Sequence, residues 1–570
     1  MPDAPTGTRR GRWPGRPWAV AGRRLRALLP RRGDYDLRPR TVRADLVAGV
    51  TVGVVALPLA LAFGESAGVG PAAGMVTAVV AGVVAAVFGG SGLQVSGPTG
   101  AMAVVLAPIV AAHGVGAVAV VSALAGLFVI LAGVLRLGGL VSNLPWPVVE
   151  GFTVGIACVI GLQQVPAALG LAAEPGHGVL PTAWTALGRA FSGPDLAPLL
   201  WSVGTVAVVA VIMVGAPRLR PGLPGSLVAV VVVTVVAEVA HAPLRRIGVL
   251  PQGLPSPTLP TLDPAALSPL LGAALAVAAL AAVESLLSAR VAASMAGARG
   301  AYDPDRELVG QGLASVAGGL FGGMPATGAI ARTAVNVRSG ARTRLAAVVH
   351  AAVILGVVYL ATGPVSRIPS AALAGVLLVT SVRMVSLPTV RAVLRSGPSA
   401  ALSFGVTALL TVVLDLVQAI EIGLVVAAFL ALRRLARDSG AHREAVPGPE
   451  RPEDGEIAVF RLEGALFFGA AERICDGVLR RCVADRPQVV VLRMSGLSMV
   501  DASGGRALRE LVLALDALGT TVLFKGLRPE HRGLLGRTGT LETVDGAHVV
   551  DDLGVAVDLA RSHVRADRDS

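Results

Sequence analysis

From Asp45 onward the chain alternates long apolar runs with short polar breaks. A helix rises about 1.5 Å per residue, so about 20 apolar residues cross the hydrocarbon core of a bilayer. Runs near that length lie at 45–64, 71–90, 115–138, 147–171, 197–215, 225–242, 265–290, 306–322, 343–362, 371–388, 398–414 and 418–434. Two further stretches, 98–112 and 327–338, are apolar but too short and too rich in glycine to span alone. The pattern predicts an α-helical polytopic membrane protein of fourteen segments, with a transport domain over 45–435. After a polar linker, 436–455, the period changes. "EIAVFRLEGALFF", "QVVVLRMSG" and "TTVLFKG" read as strands, and "AAERICDGVLRRCVA" and "GGRALRELVLALDALG" as helices with one apolar stripe. Alternating strands and helices predict a small soluble α/β domain over 456–565, followed by a tail, 566–570.

Composition agrees. Hydrophobic residues make up 54% and charged residues 15%, against about 25% charged in a soluble domain. The mean hydropathy is +0.71. The net charge of +12 does not indicate nucleic acid. Lys525 is the only lysine, and the arginines sit in the Arg/Pro/Gly-rich residues 1–44, read as a mostly disordered tail, and in loops. Arg136, Arg218, Arg220, Arg299, Arg306, Arg338, Arg342, Arg344, Arg391, Arg395, Arg433 and Arg434 fall on one side of the fourteen-segment topology. Arg189, Arg245, Arg246 and Arg367 fall on the other. Positive residues favour the cytoplasmic side, so both termini are expected inside a plasma (inner) membrane. Cys158, Cys475 and Cys482 make no disulfide framework, and the last two read as small buried hydrophobes. No signal peptide is visible. No motif for nucleotide hydrolysis appears and no metal or cofactor is expected, so the chain reads as a carrier driven by ion gradients rather than an enzyme.

One phrase occurs twice, on the two short segments. "SGPTGAMAVV" at 96–105 and "MPATGAIART" at 324–333 share Thr-Gly-Ala-x-Ala and follow glycine-rich runs. Interrupted segments in two halves of a transporter point to its binding site. A helix starting within the membrane offers free backbone N–H groups and the positive end of its dipole, which suit an anion. Thr99 and Thr327 lie near the two expected helix starts, where a hydroxyl caps the helix or touches a ligand. The alternative is a pair of small-residue packing motifs on ordinary helices. Glu284, inside "AALAAVESLLSARVAA", is a carboxylate in an apolar helix and a candidate proton carrier, with Ser288 one turn on. The alternative for Glu284 is a structural partner of Arg290 or Arg332. Arg332, just over one turn into the second half-helix, supplies charge to an anion or pairs with Glu284. Asp45, Glu150 and Glu307 read as interface residues, Glu65 is ambiguous, and Glu238 has no assigned role.

With these residues in place, the chain resembles the SulP family of anion transporters, relatives of solute carrier family 26. The stretches that carry the resemblance are "DLVAGVTVGVVALPLALAFG", "FGGSGLQVSGPTGAMA", "ESLLSARVAA" and the block from Asp303 to Ala346. The C-terminal domain resembles a STAS domain. The resemblance implies two inverted repeats of seven segments, forming core and gate domains, with substrate held between the half-helices of segments three and ten. It implies substrate contacts at Phe63, at Thr99, Gly100 and Ala101, at Ser288, and at Thr327, Gly328, Ala329, Ile330 and Arg332. Glu284 takes the acidic coupling position. A sodium-coupled bicarbonate carrier of the family has Asp at the place of Glu284 and Thr at that of Ile330, so this chain leans toward protons over sodium. In the STAS run Asp501-Ala502-Ser503-Gly504, alanine stands where related domains carry a phosphorylated serine. Ser503 beside it is a substitute acceptor, or the run only caps a helix.

The expected function is secondary active transport of a small anion, sulfate first, by proton symport with an elevator-type movement. Bicarbonate or a dicarboxylate is the alternative substrate, and a passive anion channel or exchanger the alternative mechanism. A sensor acting through the STAS domain on a cytoplasmic partner is a third class. The resemblance also implies a homodimer in the lipid bilayer.

Overall fold

The computed structural model describes residues 28, 30–31, 34–139, 145–172, 179–192, 196–219, 223–248, 250–259, 264–297, 301–414 and 416–568. Most of the tail read as disordered, together with Arg220, Arg299 and the last two residues, lies outside them. Two compact units divide at Leu424 and Val425.

The first unit is helical. Its helices are α1 (Pro39–Ser66), α2 (Pro71–Phe88), α3 (Gly100–His113), α4 (Gly116–Val134), α5 (Trp146–Gln163), α6 (Val179–Ser192), α7 (Ala197–Leu219) and α8 (Gly225–Val239). They continue as α9 (Pro264–Ala296), α10 (Pro304–Leu320), α11 (Ile330–Arg338), α12 (Leu345–Leu360), α13 (Ser370–Met384), α14 (Leu387–Arg395) and α15 (Pro398–Val413), and α16 (Leu416–Asp438) runs from the first unit into the second. Without α6 and α14, they follow the fourteen expected segments in order. Seven helices among the described residues are long and apolar enough to cross a membrane. Large apolar side chains such as Leu131, Leu200, Val211 and Val235 are exposed, an arrangement suited to lipid and costly in water. Prolines open α1, α2, α10 and α15, where a missing N–H costs no helical bond. In α2 the turn Thr77–Ala81 widens to a π-helix, and the Thr77 hydroxyl there accepts the N–H of Met324 at 2.7 Å.

Pairings between helices repeat between the halves. α1 packs on α12 as α9 packs on α4, and α5 packs on α15 as α13 packs on α7. α1–α4 and α9–α12 form one group, the core; α5, α7, α8, α13 and α15 form another, the gate. α4 and α10 approach so closely that a side chain on Gly126 would sit 2.5 Å from the Gly312 carbonyl oxygen, the contact small residues permit between membrane helices. The amphipathic α6 and α14 occupy matching places in the two halves. Each is short and apolar on only one face, so neither is a membrane-length apolar run on its own.

Asp45 and Glu307, near segment ends, hold backbone N–H groups of neighbouring loops. Asp45, fully buried, accepts the N–H groups of Arg342 and Thr343 at 2.6 and 3.1 Å and the Thr343 hydroxyl at 2.5 Å. Glu307 accepts the N–H groups of Gly90 and Ser91, both at 2.8 Å. Arg306 reaches Asp34 at 2.6 Å. Asp45→Ala strands buried donors and is expected to destabilise the chain by about 3 kcal/mol, read as a lowered denaturation midpoint of the purified protein.

The first unit holds two short strands, β1 (Ser96–Gly97) and β2 (Thr327–Gly328). The second unit carries the sheet β3 (Gly440–Glu444), β4 (Ile457–Leu466), β5 (Val489–Val500), β6 (Thr521–Lys525) and β7 (Val549–Val550), in that order. β3 is antiparallel to β4 and the other pairs are parallel. Residues 440–444, part of the stretch read as linker, thus form an edge strand; their polar composition hides it. Helices α17 (Ala471–Asp485), α18 (Ala502–Asp516), α19 (Pro529–Arg537) and α20 (Leu553–Arg568) complete the unit. Ala458 and Phe460 pack with α17 and α18, whereas Ile457 and Val459 pack with α20. Both faces are covered, which explains the uninterrupted "VVVL" of β5. Cys475 and Cys482 are buried, and desolvation pushes their thiols up to about 12 and about 11. Thiols so raised are inert. Asp501 caps α18 through the Gly504 N–H at 2.7 Å and also accepts from the Phe468 N–H at 3.1 Å.

Candidate functional site

The repeated phrases meet. Strands β1 (Ser96–Gly97) and β2 (Thr327–Gly328) pair antiparallel, Ser96 opposite Gly328 and Gly97 opposite Thr327. α3 starts after β1 and α11 after β2, so two half-helices run away from one crossing point. The N–H groups of Gly100, Ala101, Ile330 and Ala331 occupy first-turn positions that have no helical acceptor.

The two copies are not placed identically. Thr99 is the N-cap of α3, and its hydroxyl accepts the Met102 N–H at 3.5 Å. In the second copy the N-cap is Ala329, two residues past Thr327. Thr327 therefore lies in β2, and its hydroxyl reaches sideways instead of capping.

Both hydroxyls converge on Glu284. Thr99 Oγ1 lies 2.9 Å and Thr327 Oγ1 2.8 Å from Glu284 Oε2, and the hydroxyls are 3.0 Å from each other. Glu284 is half-buried, and both threonines are buried. Phe63 is buried on α1. A side chain on Gly100 would lie 3.1 Å from the Phe63 ring and 2.3 Å from Ile160 Cδ1. Ala101 and Ala329 are buried and Ile330 is exposed.

Ser288 and Arg332, two further expected contacts, bond to protein groups at the crossing. The Ser288 hydroxyl is 3.0 Å from that of Thr333, which in turn accepts the Val95 N–H at 3.0 Å. Ser288 thus braces the crossing from behind. Ser285, which the sequence reading did not single out, accepts the Gly328 N–H at 3.1 Å. Arg332 is 2% exposed and donates to the Pro98 carbonyl at 2.5 Å. Among the described residues no ion pair joins Glu284 to Arg332 or to Arg290. A side chain on Gly97, at φ +155°, would meet Arg332 Nη1 at 2.7 Å, so glycine there makes room for the guanidinium. Glu238 pairs with Arg246 at 2.7 Å. No group of three or more His, Cys, Asp or Glu side chains able to hold a metal occurs among the described residues.

Comparison with known proteins bears on this arrangement. The Sulfate permease family profile matches residues 42–430, and the STAS domain profile matches 448–556. A Bacillus subtilis protein provisionally named sulfate transporter YvdB is 34% identical over 514 residues, covering 89% of this chain and 96% of that one. The bicarbonate transporter BicA of a Picosynechococcus species is 33% identical, covering 76% of this chain and 80% of its own. The solved structure of the murine anion transporter Slc26a9 in its inward-facing state superposes with a TM-score of 0.82 at 18% identity, covering 98% of this chain and 97% of that one. It shares the fold. With the permease profile over most of its length and a STAS profile after it, the chain belongs to the sulfate permease family, the SulP or solute carrier 26 anion transporters, and is a multi-pass membrane protein.

Proposed function

We propose that this chain is a secondary active importer of a small inorganic anion, sulfate first, coupled to protons and worked by movement of the core against the gate. One observation carries the reading: a single carboxylate oxygen of Glu284 closes a triangle with hydroxyls from both half-helices. With the carboxylate ionised, the two hydroxyls supply two hydrogens for three close contacts. Protonation of Glu284 adds the third hydrogen, and each contact then holds one. A proton on Glu284 and an anion at the free N–H groups of α3 and α11 are thus favoured together, which is the logic of symport. The hydroxyl-free side chain of Ile330 disfavours a sodium site here.

The named activity of the Bacillus relative supports sulfate. That of BicA supports bicarbonate as the second reading. The arginine distribution supports a plasma-membrane location with both termini cytoplasmic. A homodimer, a transport domain over 45–435 and a STAS domain over 456–565 that receives a cytoplasmic partner complete the proposal.

The test is uptake of radiolabelled sulfate, bicarbonate, fumarate and chloride into proteoliposomes, with and without an inward proton gradient. Sulfate is expected to accumulate above equilibrium only when the outside is acidic. Equilibration without accumulation would instead indicate a channel or uncoupled exchanger.

A further inference from the structure

A cavity of about 1210 Å³ lies where the C-terminal ends of α1, α3 and α5 meet α9 and α13. Its lining reaches Ala62, Val105 and Ala279. Ala62 adjoins Phe63, Val105 lies four residues from Ala101, and Ala279 lies five residues before Glu284. The lining thus comes within about one and a half helical turns of Phe63, Ala101 and Glu284 along their own helices.

Among the described residues that line it, Glu65 is the only carboxylate. It stands on α1, two residues past Phe63, hence about 3 Å further along the helix axis. Its Oε1 accepts the Ser370 hydroxyl at 2.6 Å. Its Oε2 is buried and has no hydrogen-bond partner among the described residues. The Ser370 N–H is itself held by the Arg245 carbonyl at 2.8 Å. The Arg245 side chain lines the same cavity and is exposed, and it forms no ion pair with Glu65 among the described residues. The carboxylate is thus fixed in place by the gate and is not neutralised by contact with a cation.

We propose that Glu65 sets the valence preference of the anion path. Coulomb repulsion scales with the product of charges, so a fixed carboxylate opposes a dianion about twice as strongly as a monoanion at the same place. Partial burial keeps that field from being screened by salt. Arg245 attracts anions of either valence toward the mouth of the cavity, and Glu65, deeper in, discriminates between them. The inference rests on the anion-transport reading and adds a determinant of which anions that site receives.

The test uses full-length protein in proteoliposomes at constant pH and ionic strength, without a pH gradient. Glu65→Gln keeps the size of the side chain and an oxygen for Ser370, and removes the charge. Uptake of whichever labelled anion moves is measured against unlabelled external sulfate and chloride, so that inhibition constants report both valences. In the variant the chloride constant is expected to fall about threefold and the sulfate constant by about the square of that, roughly tenfold. Equal factors for the two anions, or weaker sulfate inhibition, would overturn the inference. Ser370→Ala leaves the charge and is expected to leave the sulfate-to-chloride ratio unchanged; a ratio shifted as in Glu65→Gln would mean that packing, not charge, is responsible. A wild-type protein that moves no anion overturns the transport reading itself, and so is distinguishable from wild-type uptake with a valence-blind Glu65→Gln.

Discussion

Glu284→Gln removes all pH-driven anion uptake, and the purified variant stays within about 1 kcal/mol of the parent in stability. The carboxamide keeps an oxygen at the position of Oε2, so the Thr99 and Thr327 hydroxyls retain their acceptor. The crossing of β1 and β2 also keeps its other supports: the Ser285 bond to Gly328, the Thr333 bond to Val95, and the Asn336 bond to Leu93 at 2.8 Å. Glutamine, however, does not gain or lose a proton. An intact fold without gradient-driven uptake isolates the coupling role. Proton-driven uptake that survives in this variant would sink it, and a large loss of stability would make Glu284 a structural residue instead. Uptake down an anion gradient, measured in parallel, separates loss of coupling from loss of binding.

The second large effect is expected at the two glycines beside the crossing. Valine at Gly100 places its Cβ 2.3 Å from Ile160 Cδ1 and 3.1 Å from the Phe63 ring. At Gly328 a Cβ falls 1.8 Å from Gln94 Nε2 and 3.1 Å from Ser288 Cβ. The nearest atoms belong to side-chain ends that can turn aside, so folding is expected to survive at an overpacking cost of about 1–3 kcal/mol. Gly100 is also the first residue of α3, so a side chain there stands beside one of the free N–H groups. Each variant should therefore weaken anion binding at least about tenfold, an effect of about 1.4 kcal/mol, with the larger loss at Gly100. Binding of labelled anion to detergent-solubilised protein, alongside its thermal midpoint, measures both quantities. Normal affinity in both variants would remove the half-helices from the site.

These experiments bear on parts of the molecule that were unequally legible. The transmembrane helices follow the apolar runs closely, because a bilayer core imposes both length and composition on whatever crosses it. The repeated Thr-Gly-Ala phrase stood out because glycine and short apolar length are what an interrupted helix requires. Glu284 stood out because a carboxylate in an apolar helix is costly wherever it occurs. The amphipathic α6 and α14 did not stand out, and neither did the polar edge strand β3, whose residues carry no apolar alternation.

Other features depend on where distant residues come to lie. Glu65 and Ser370 are 305 positions apart and share one hydrogen bond. Ser285 and Ser288 lie within one turn of each other, yet one holds the backbone of β2 and the other braces Thr333. The two copies of the phrase look alike as text, but one threonine caps its helix and the other lies two residues before its N-cap.

By itself, then, the amino-acid sequence determined the number and order of the apolar segments, the change to an α/β domain after them, and the residue types at the repeated phrase and around Glu284. Those features follow from local rules of solvent, period and helix termination, which act within a window of a few turns. The tertiary structure alone decided that Thr99 and Thr327 share a single oxygen of Glu284, that Arg332 turns to the Pro98 carbonyl, and that Glu65 meets Ser370 at the wall of a cavity. Those outcomes depend on the register of a four-residue strand pair and on how two groups of helices pack, and no local window contains either.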